Sequence, residues 1–239
     1  MGGSSTLRIG ILQADSVNEE FRPLHGDYPD MFESLFNAAA NGESLEFSTY
    51  VAADARYPDP RACDAYVITG SRESVYDDLP WIPPLVDFVG RALAAERKII
   101  GICFGHQLIA HFFGGRTEAA SGWAVGVHNS QVIGDAPWLS PKLAEFGLLS
   151  SHKDQVTALP EGAIPIATND FCTHAGFVWG DHVLTFQGHP EFQRPYSADL
   201  MQMRQDLLGT ETFEQGMASL ENDTHENQVA RWILNFCKS

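Results

Sequence analysis

Several absences bound this chain before any motif is read. No apolar run reaches the roughly 18 residues that a membrane-spanning helix needs, so no membrane partnership is expected. The start, Met1-Gly2-Gly3-Ser4-Ser5, lacks the apolar core of a signal peptide and is expected to be a flexible N-terminus. Cationic residues are scarce: 15 Lys and Arg stand against 31 Asp and Glu, a net charge of −16. That balance excludes a nucleic-acid binder or a partner of anionic membrane, both of which need a basic face. Cysteine is scarce too. Cys63, Cys103, Cys172 and Cys237 are scattered with no CxxC spacing, which argues against a disulfide framework or a zinc site and for a reducing cytoplasm. Neither a Walker pattern nor GxGxxG occurs, so no phosphate-cradling loop and no cofactor is expected. Internal repeats, low-complexity tracts and linker-like stretches are also missing.

What is present is a globular composition, 44% hydrophobic and 19% charged over 239 residues. At about 150 residues per domain the length admits one large or two small domains. With no linker visible, residues 6–239 are expected to form one domain, with no room for a synthetase's nucleotide-binding domain. Leu7–Gln13 reads as a buried strand. A polar loop containing Pro23, His25 and Pro29 follows. Met31, Phe32, Leu35 and Phe36 fall at helical spacing, stopped by Asn41-Gly42. Leu45–Val51 and Ala65–Thr69 read as strands. Ser74–Pro84 reads as a loop, Leu85–Ala94 as an amphipathic helix and Lys98–Ile102 as a strand. A helix then opens near His106 and ends at Gly114-Gly115. This order predicts an α/β fold: an open, mainly parallel sheet with helices on both faces. From Val125 to Gln187 the texture changes to short β-like runs at Gln131–Ile133, Gly147–Leu149, Ile164–Thr168, Phe177–Trp179 and Val183–Phe186. Helical spacing returns at Leu200, Met203 and Leu207, and again at Val229, Ile233 and Phe236.

The sharpest local feature is Gly101-Ile102-Cys103-Phe104-Gly105-His106-Gln107, between a buried strand and a helix. Glycines two residues before and after Cys103 suit a tight strand-to-helix elbow, where side chains would clash. Such an elbow lifts the thiol clear of the sheet, and the helix start favours the thiolate. The Phe104 N–H then points where a tetrahedral oxyanion would form. A thiol nucleophile needs a base and an orienter for that base. Val183-Leu184-Thr185-Phe186-Gln187-Gly188-His189-Pro190-Glu191 supplies both, because His189 and Glu191 are two apart and share one side of an extended segment. Cys103, His189 and Glu191 are therefore expected to form a catalytic triad. The other histidines read as structural. Asp15, Glu19, Glu20, Asp77 and Asp78 read as solvated acidic loops.

On these residues the chain resembles the class I (triad-type) glutamine amidotransferases, over nearly its whole length. The resemblance implies a flavodoxin-like open sheet. It implies hydrolysis of the glutamine γ-carboxamide through a γ-glutamyl thioester, with release of ammonia. The block Val67-Ile68-Thr69-Gly70-Ser71 corresponds to the family's second oxyanion-hole donor, which falls on Gly70-Ser71. The block Ser150-Ser151-His152-Lys153-Asp154 is similar to the Ser-His-Gly-Asp segment of GMP synthetase amidotransferase domains. That similarity makes Ser151, His152 and Lys153 substrate-binding candidates, together with Gln107. No metal is implied.

Two departures bear on the substrate. The family's paired glycines are Gly70-Ser71 here, and the glycine of Ser-His-Gly-Asp is Lys153. With the acidic-Trp stretch Asp77-Asp78-Leu79-Pro80-Trp81, the oxyanion loop also resembles the plant γ-glutamyl peptidases, which share the triad but cleave γ-glutamyl peptides such as glutathione conjugates. Three readings follow: a glutaminase-type amidotransferase acting alone or beside an ammonia-accepting synthetase partner, a γ-glutamyl peptidase, or a non-catalytic regulatory module.

Overall fold

The computed structural model describes residues 6–239; Met1–Ser5, the expected flexible start, lie outside the described residues. In chain order the strands are β1 (Leu7–Gln13), β2 (Leu45–Val51), β3 (Ala65–Ile68), β4 (Lys98–Ile102), β5 (Arg116–Val132), β6 (Glu145–Ala158), β7 (Ala163–Thr168), β8 (Gly176–Trp179) and β9 (Val183–Phe186). The helices are α1 (Arg22–His25), α2 (Tyr28–Ala39), α3 (Ile82–Ala94), α4 (Phe104–Phe112), α5 (Arg194–Met203), α6 (Gln205–Leu208), α7 (Thr210–Ser219) and α8 (Glu226–Lys238). No helix among the described residues is long and apolar enough to cross a membrane.

The strands join in one sheet of order β2-β1-β3-β4-β9-β8-β7-β5-β6. The pairings from β2 through β9 are parallel, and the order of those strands is the flavodoxin-like one. From β9 to β6 the pairings turn antiparallel. Alternation along the parallel strands divides the core in two. Ile9, Ile11, Val67, Ile100 and Ile102 face Phe32, Phe36, Val229 and Ile233 of α2 and α8. Leu12, Tyr66, Ile68 and Ile99 face Leu85, Phe88, Leu108 and Ile109 of α3 and α4. Each such side chain, fully buried, contributes about 1.5–3 kcal/mol of transfer free energy. Helices on both faces follow from strands that are apolar on both faces.

Local chemistry moves three boundaries from where the pattern put them. The loop holding Pro29 is already helix, because Asp27 and Asp30 form a capping box: the Tyr28 N–H donates to Asp27 at 2.9 Å and the Asp27 N–H to Asp30 at 2.8 Å. Likewise α3 begins at Ile82, with Pro83 and Pro84 in its first turn, where a missing N–H costs nothing. The run at Gln131–Ile133 covers the end of β5, which stops at Val132, and Gly147–Leu149 is a segment of β6; the two strands are 17 and 14 residues long. These two strands form a ribbon exposed along much of its length, so no continuous apolar run marks them.

The third helical spacing is corrected more substantially. Leu200 is buried, but Met203 is 46% and Leu207 63% exposed. The chain breaks between α5 and α6 at Arg204, so spacing counted through the break does not describe one face. The inward face of α5 is Tyr196, Leu200 and Met201.

Candidate active site

The β4–α4 connection is a strained elbow. Cys103 sits at φ +49° and ψ −98°, a conformation that costs an ordinary side chain about 1–3 kcal/mol. It is held from both sides: its N–H donates to the Phe186 carbonyl at 2.9 Å, and its own carbonyl accepts from the Gln107 N–H at 3.0 Å. The flanking glycines are required by close packing. A Cβ on Gly101 would lie 2.7 Å from the Gly105 carbonyl carbon, and one on Gly105 would lie 2.6 Å from the Ile68 carbonyl oxygen. Phe104 is the first residue of α4, so its N–H has no intrahelical acceptor and is available to a ligand.

The second part comes from beyond β9. The His189 N–H donates to the Leu149 carbonyl at 2.8 Å, tying the His-Pro-Glu turn to β6. His189 Nδ1 and Glu191 Oε1 are 2.7 Å apart, and both side chains are buried. That contact leaves Nε2 for the neighbouring sulfur. The Phe192 ring lies parallel to the imidazole, with centroids 3.8 Å apart and planes 12° apart. Burial by itself disfavours the imidazolium, but the Glu191 carboxylate and the Cys103 sulfur outweigh it and raise the His189 pKa from 6.5 to about 10. Gly70, just after β3, lies between the Cys103 and His189 side chains. A Cβ there would stand 2.8 Å from His189 Cε1 and 3.7 Å from Cys103 Cβ.

Around these groups lies a cavity of about 230 Å³. Of the residues expected from sequence, Cys103, His189, Ser71, Gln107 and the run Ser151–Lys153 all line it. Gly70, Phe104 and Glu191 stand behind the wall. Gln107 is fixed by two contacts of its Nε2, to the Asp154 carbonyl at 2.8 Å and to Gln187 Oε1 at 3.1 Å. His152 Nδ1 is 2.9 Å from the same Asp154 carbonyl. Burial lowers the His152 pKa to about 3, so at neutral pH it is an uncharged polar surface. His106 is likewise buried, lowered to about 3 and held 2.8 Å from the Thr185 hydroxyl, in keeping with a structural role.

Other lining residues carried no sequence signal. Arg72 reaches the cavity because Asp15 accepts from its Nε at 2.7 Å and its N–H at 3.0 Å. Asp15 is thus not a solvated loop acid; Asp77 is exposed as expected, and accepts the Ser74 N–H at 2.7 Å. Glu19, Glu20 and Asp78 are exposed as expected. Arg204 donates to the Ser151 hydroxyl at 2.9 Å and stands 5.7 Å over the ring of Trp123. Of the lining residues Phe192, Leu200 and Arg204, only Leu200 lies inside α5; Phe192 precedes the helix and Arg204 follows it, so no helical spacing pointed to the group.

Comparison with known proteins gives consistent results. The family model described as glutamine amidotransferase class-I matches residues 38–203. Gamma-glutamyl peptidase 3 of Arabidopsis thaliana is 28% identical, over 97% of this chain and 95% of its own. A glutamine amidotransferase-like protein of Schizosaccharomyces pombe is 30% identical, over 95% of this chain and 97% of its own. The glutamine-hydrolysing GMP synthase of Thermomicrobium roseum is 32% identical over 52% of this chain and 23% of its own. A glutamine amidotransferase of Thermotoga maritima has the same fold, with a TM-score of 0.73 at 18% identity, covering 97% of this chain and 96% of its own.

Proposed function

We propose, from the premise that this chain belongs to the class I glutamine amidotransferase family, that Cys103, His189 and Glu191 are the triad with which it hydrolyses a γ-glutamyl amide. The observation that carries the residue assignment is the strained Cys103 elbow lying across Gly70 from the buried His189–Glu191 pair.

In this reading the Cys103 thiolate attacks the γ-carbonyl carbon, forming the C–S bond while the carbonyl oxygen takes the negative charge. The N–H groups of Phe104 and Ser71, with Gly70 shaping the loop, receive that oxyanion. His189, held protonated by Glu191 and the sulfur, gives its Nε2 proton to the departing nitrogen as the C–N bond breaks. Water then attacks the γ-glutamyl thioester, His189 accepts its proton, and the γ-carboxylate leaves as the thiolate returns. Gln107, Ser151, His152 and Lys153 hold the amino-acid end of the substrate. Every step uses groups of this chain, and no cofactor enters.

Glutamine is the smallest donor and ammonia the product in that case. The likeness to the amidotransferase part of a GMP synthase supports a synthetase as the acceptor of that ammonia. A second reading, cleavage of γ-glutamyl peptides, is favoured by near full-length likeness to proteins named gamma-glutamyl peptidases. It is also favoured by a cavity lined by Arg204 and Trp123 as well as by Cys103 and His189. The continuous sheet supports residues 6–239 working as one domain. The four free cysteines, all buried, support a reducing, cytoplasmic setting.

The test is release of ammonia from glutamine and of glutamate from γ-glutamyl dipeptides. Cys103→Ala should abolish both and Cys103→Ser should leave a trace. Full activity in Cys103→Ala on either substrate sinks the triad assignment.

A further inference from the structure

Two N–H groups are assigned to the oxyanion, and they are held in different ways. That of Phe104 is aimed by its place at the start of α4. That of Ser71 belongs to a loop residue outside any helix or strand, and it finds no acceptor among the described residues. An oxyanion donor works only if it is aimed before the carbonyl oxygen takes charge. The aim of the Ser71 N–H therefore has to come from side chains around the loop.

The segment after β1 supplies it through two contacts. The Thr69 side chain is fully buried. Its hydroxyl accepts from the Ala14 N–H at 3.0 Å and donates to the Gly70 carbonyl at 3.0 Å. That carbonyl and the Ser71 N–H belong to one planar trans peptide, in which they point in opposite directions. Holding the carbonyl on Thr69 thus turns the Ser71 N–H away from Thr69. On the other side of Ser71, the Asp15 carboxylate accepts the Arg72 N–H at 3.0 Å and Arg72 Nε at 2.7 Å. Asp15 is itself held by the Ser16 N–H, 2.8 Å from its other oxygen. The peptide planes before and after Ser71 are both pinned to residues 14–16.

We propose that Thr69 and Asp15 are positioning residues for the reaction, aiming the Ser71 N–H at the oxyanion. The inference rests on the γ-glutamyl hydrolase reading above, with Cys103 as the nucleophile. The carbonyl oxygen gains its charge only as the tetrahedral intermediate forms, so a misaimed donor lowers kcat and leaves KM nearly unchanged. Acylation and thioester hydrolysis both pass through such an intermediate at the same carbon. The loss is therefore shared by glutamine and γ-glutamyl peptides.

The experiment measures kcat and KM on glutamine and γ-Glu-Gly for wild type, Thr69→Val, Thr69→Ser, Asp15→Ala and the double variant Thr69→Val/Asp15→Ala. Thr69→Val keeps the side-chain shape without the hydroxyl and should lower kcat about 10- to 100-fold on both substrates, with KM within about twofold. Thr69→Ser keeps the hydroxyl and should stay within about threefold of wild type. Asp15→Ala should lose about 10-fold in kcat. The double variant should stop at the loss of one oxyanion donor, about 10²- to 10³-fold, because both contacts aim the same N–H. Alkylation of Cys103 by iodoacetamide is followed in parallel. It forms the S–C bond at a saturated carbon as iodide leaves and passes through no oxyanion, so its rate should be the same in all five proteins.

Alkylation slowed as much as kcat overturns the proposal, because that marks a disturbed elbow. Losses confined to KM or to one substrate overturn it too. Should Thr69→Val not fold, Asp15→Ala decides, since Asp15 stands outside the apolar core; an unchanged kcat there overturns the proposal. Inactivity of the wild type toward both substrates, or full activity of Cys103→Ala, fails the parent reading. An active wild type with kcat unchanged in Thr69→Val fails this inference alone.

Discussion

The parallel and antiparallel parts of the sheet differ in how they bury their residues and in what they bring to the cavity. Strands β3 and β9 are buried at every position, and β1 and β4 at all but one. Cys103 and His189 extend from β4 and β9, within a few residues of the strand ends. Strands β5 and β6 mix exposed and buried positions over long stretches, and they carry Trp123, Ser151, His152 and Lys153. The proposed reacting groups thus sit where packing fixes positions most tightly. The other lining residues sit on a ribbon whose pairing becomes irregular between Ala119 and Ala124. The difference teaches a division of labour: damage to the parallel part should lower turnover of every substrate, and change in the ribbon should re-rank substrates.

The largest expected effect breaks the buried pair. Glu191→Gln should lower kcat about 10³- to 10⁴-fold on glutamine and peptides alike, as loss of an orienting carboxylate does in other triads. It should also move the alkaline limb of kcat/KM downward from near pH 10, because the carboxylate is a main reason the His189 pKa stands so high. Unequal losses among substrates would break the comparison.

The same shift has a stability consequence. With its pKa raised from 6.5 to about 10 on folding, His189 contributes stability that is complete below about pH 6.5 and lost as pH rises through 10. Urea melts across that range should show the loss in wild type. The slope should be smaller in Cys103→Ala, where the sulfur no longer supports the imidazolium.

Next in size is Gly70→Ala. The added methyl must displace the His189 ring, so activity should fall about 100-fold while melting changes by only a few degrees, as expected for overpacking of about 1–3 kcal/mol. Phe192→Leu should be milder, a loss of about 10-fold in kcat with little change in KM, through a less tightly held imidazole. Smallest is Lys153→Gly on the ribbon. It should change KM a few-fold, differently for glutamine and γ-Glu-Leu, and leave kcat within about twofold. A loss of kcat on the scale of Glu191→Gln would erase the distinction between the two parts.

The same division explains which features could be read from sequence. The elbow was legible because its constraint is short-range: two glycines, two residues either side of Cys103, meet each other and β3 within one turn. His189 and Glu191 were legible as a pair two residues apart. Strands β1, β3, β4 and β9 announced themselves as short apolar runs, since both of their faces are covered; the parallel edge strand β2, with no buried residue, was legible by its alternation instead. The ribbon did not, because buried stretches such as Ala124–Val127 and Phe146–Ser150 alternate with exposed ones and the bulge at Ala120–Trp123 breaks the pairing. Pro29, Pro83 and Pro84 read as loop punctuation because proline also opens helices; at Pro29 the Asp27–Asp30 capping box distinguishes the two uses, whereas α3 starts without a side-chain cap.

By itself, then, the sequence carried the α/β class, the places of the parallel strands along the chain and a candidate nucleophile, base and orienting acid in local motifs. The tertiary structure decided how those motifs meet and what surrounds them. Arg72 is held by Asp15 from 57 residues away, and Arg204 by Ser151 from 53. Contacts at such separations leave no periodic trace in the chain, because they depend on where the sheet places each strand end. The same is true of the β5–β6 register. It is set by pairing along the whole ribbon, and it places Trp123 opposite Lys153 on the cavity lining.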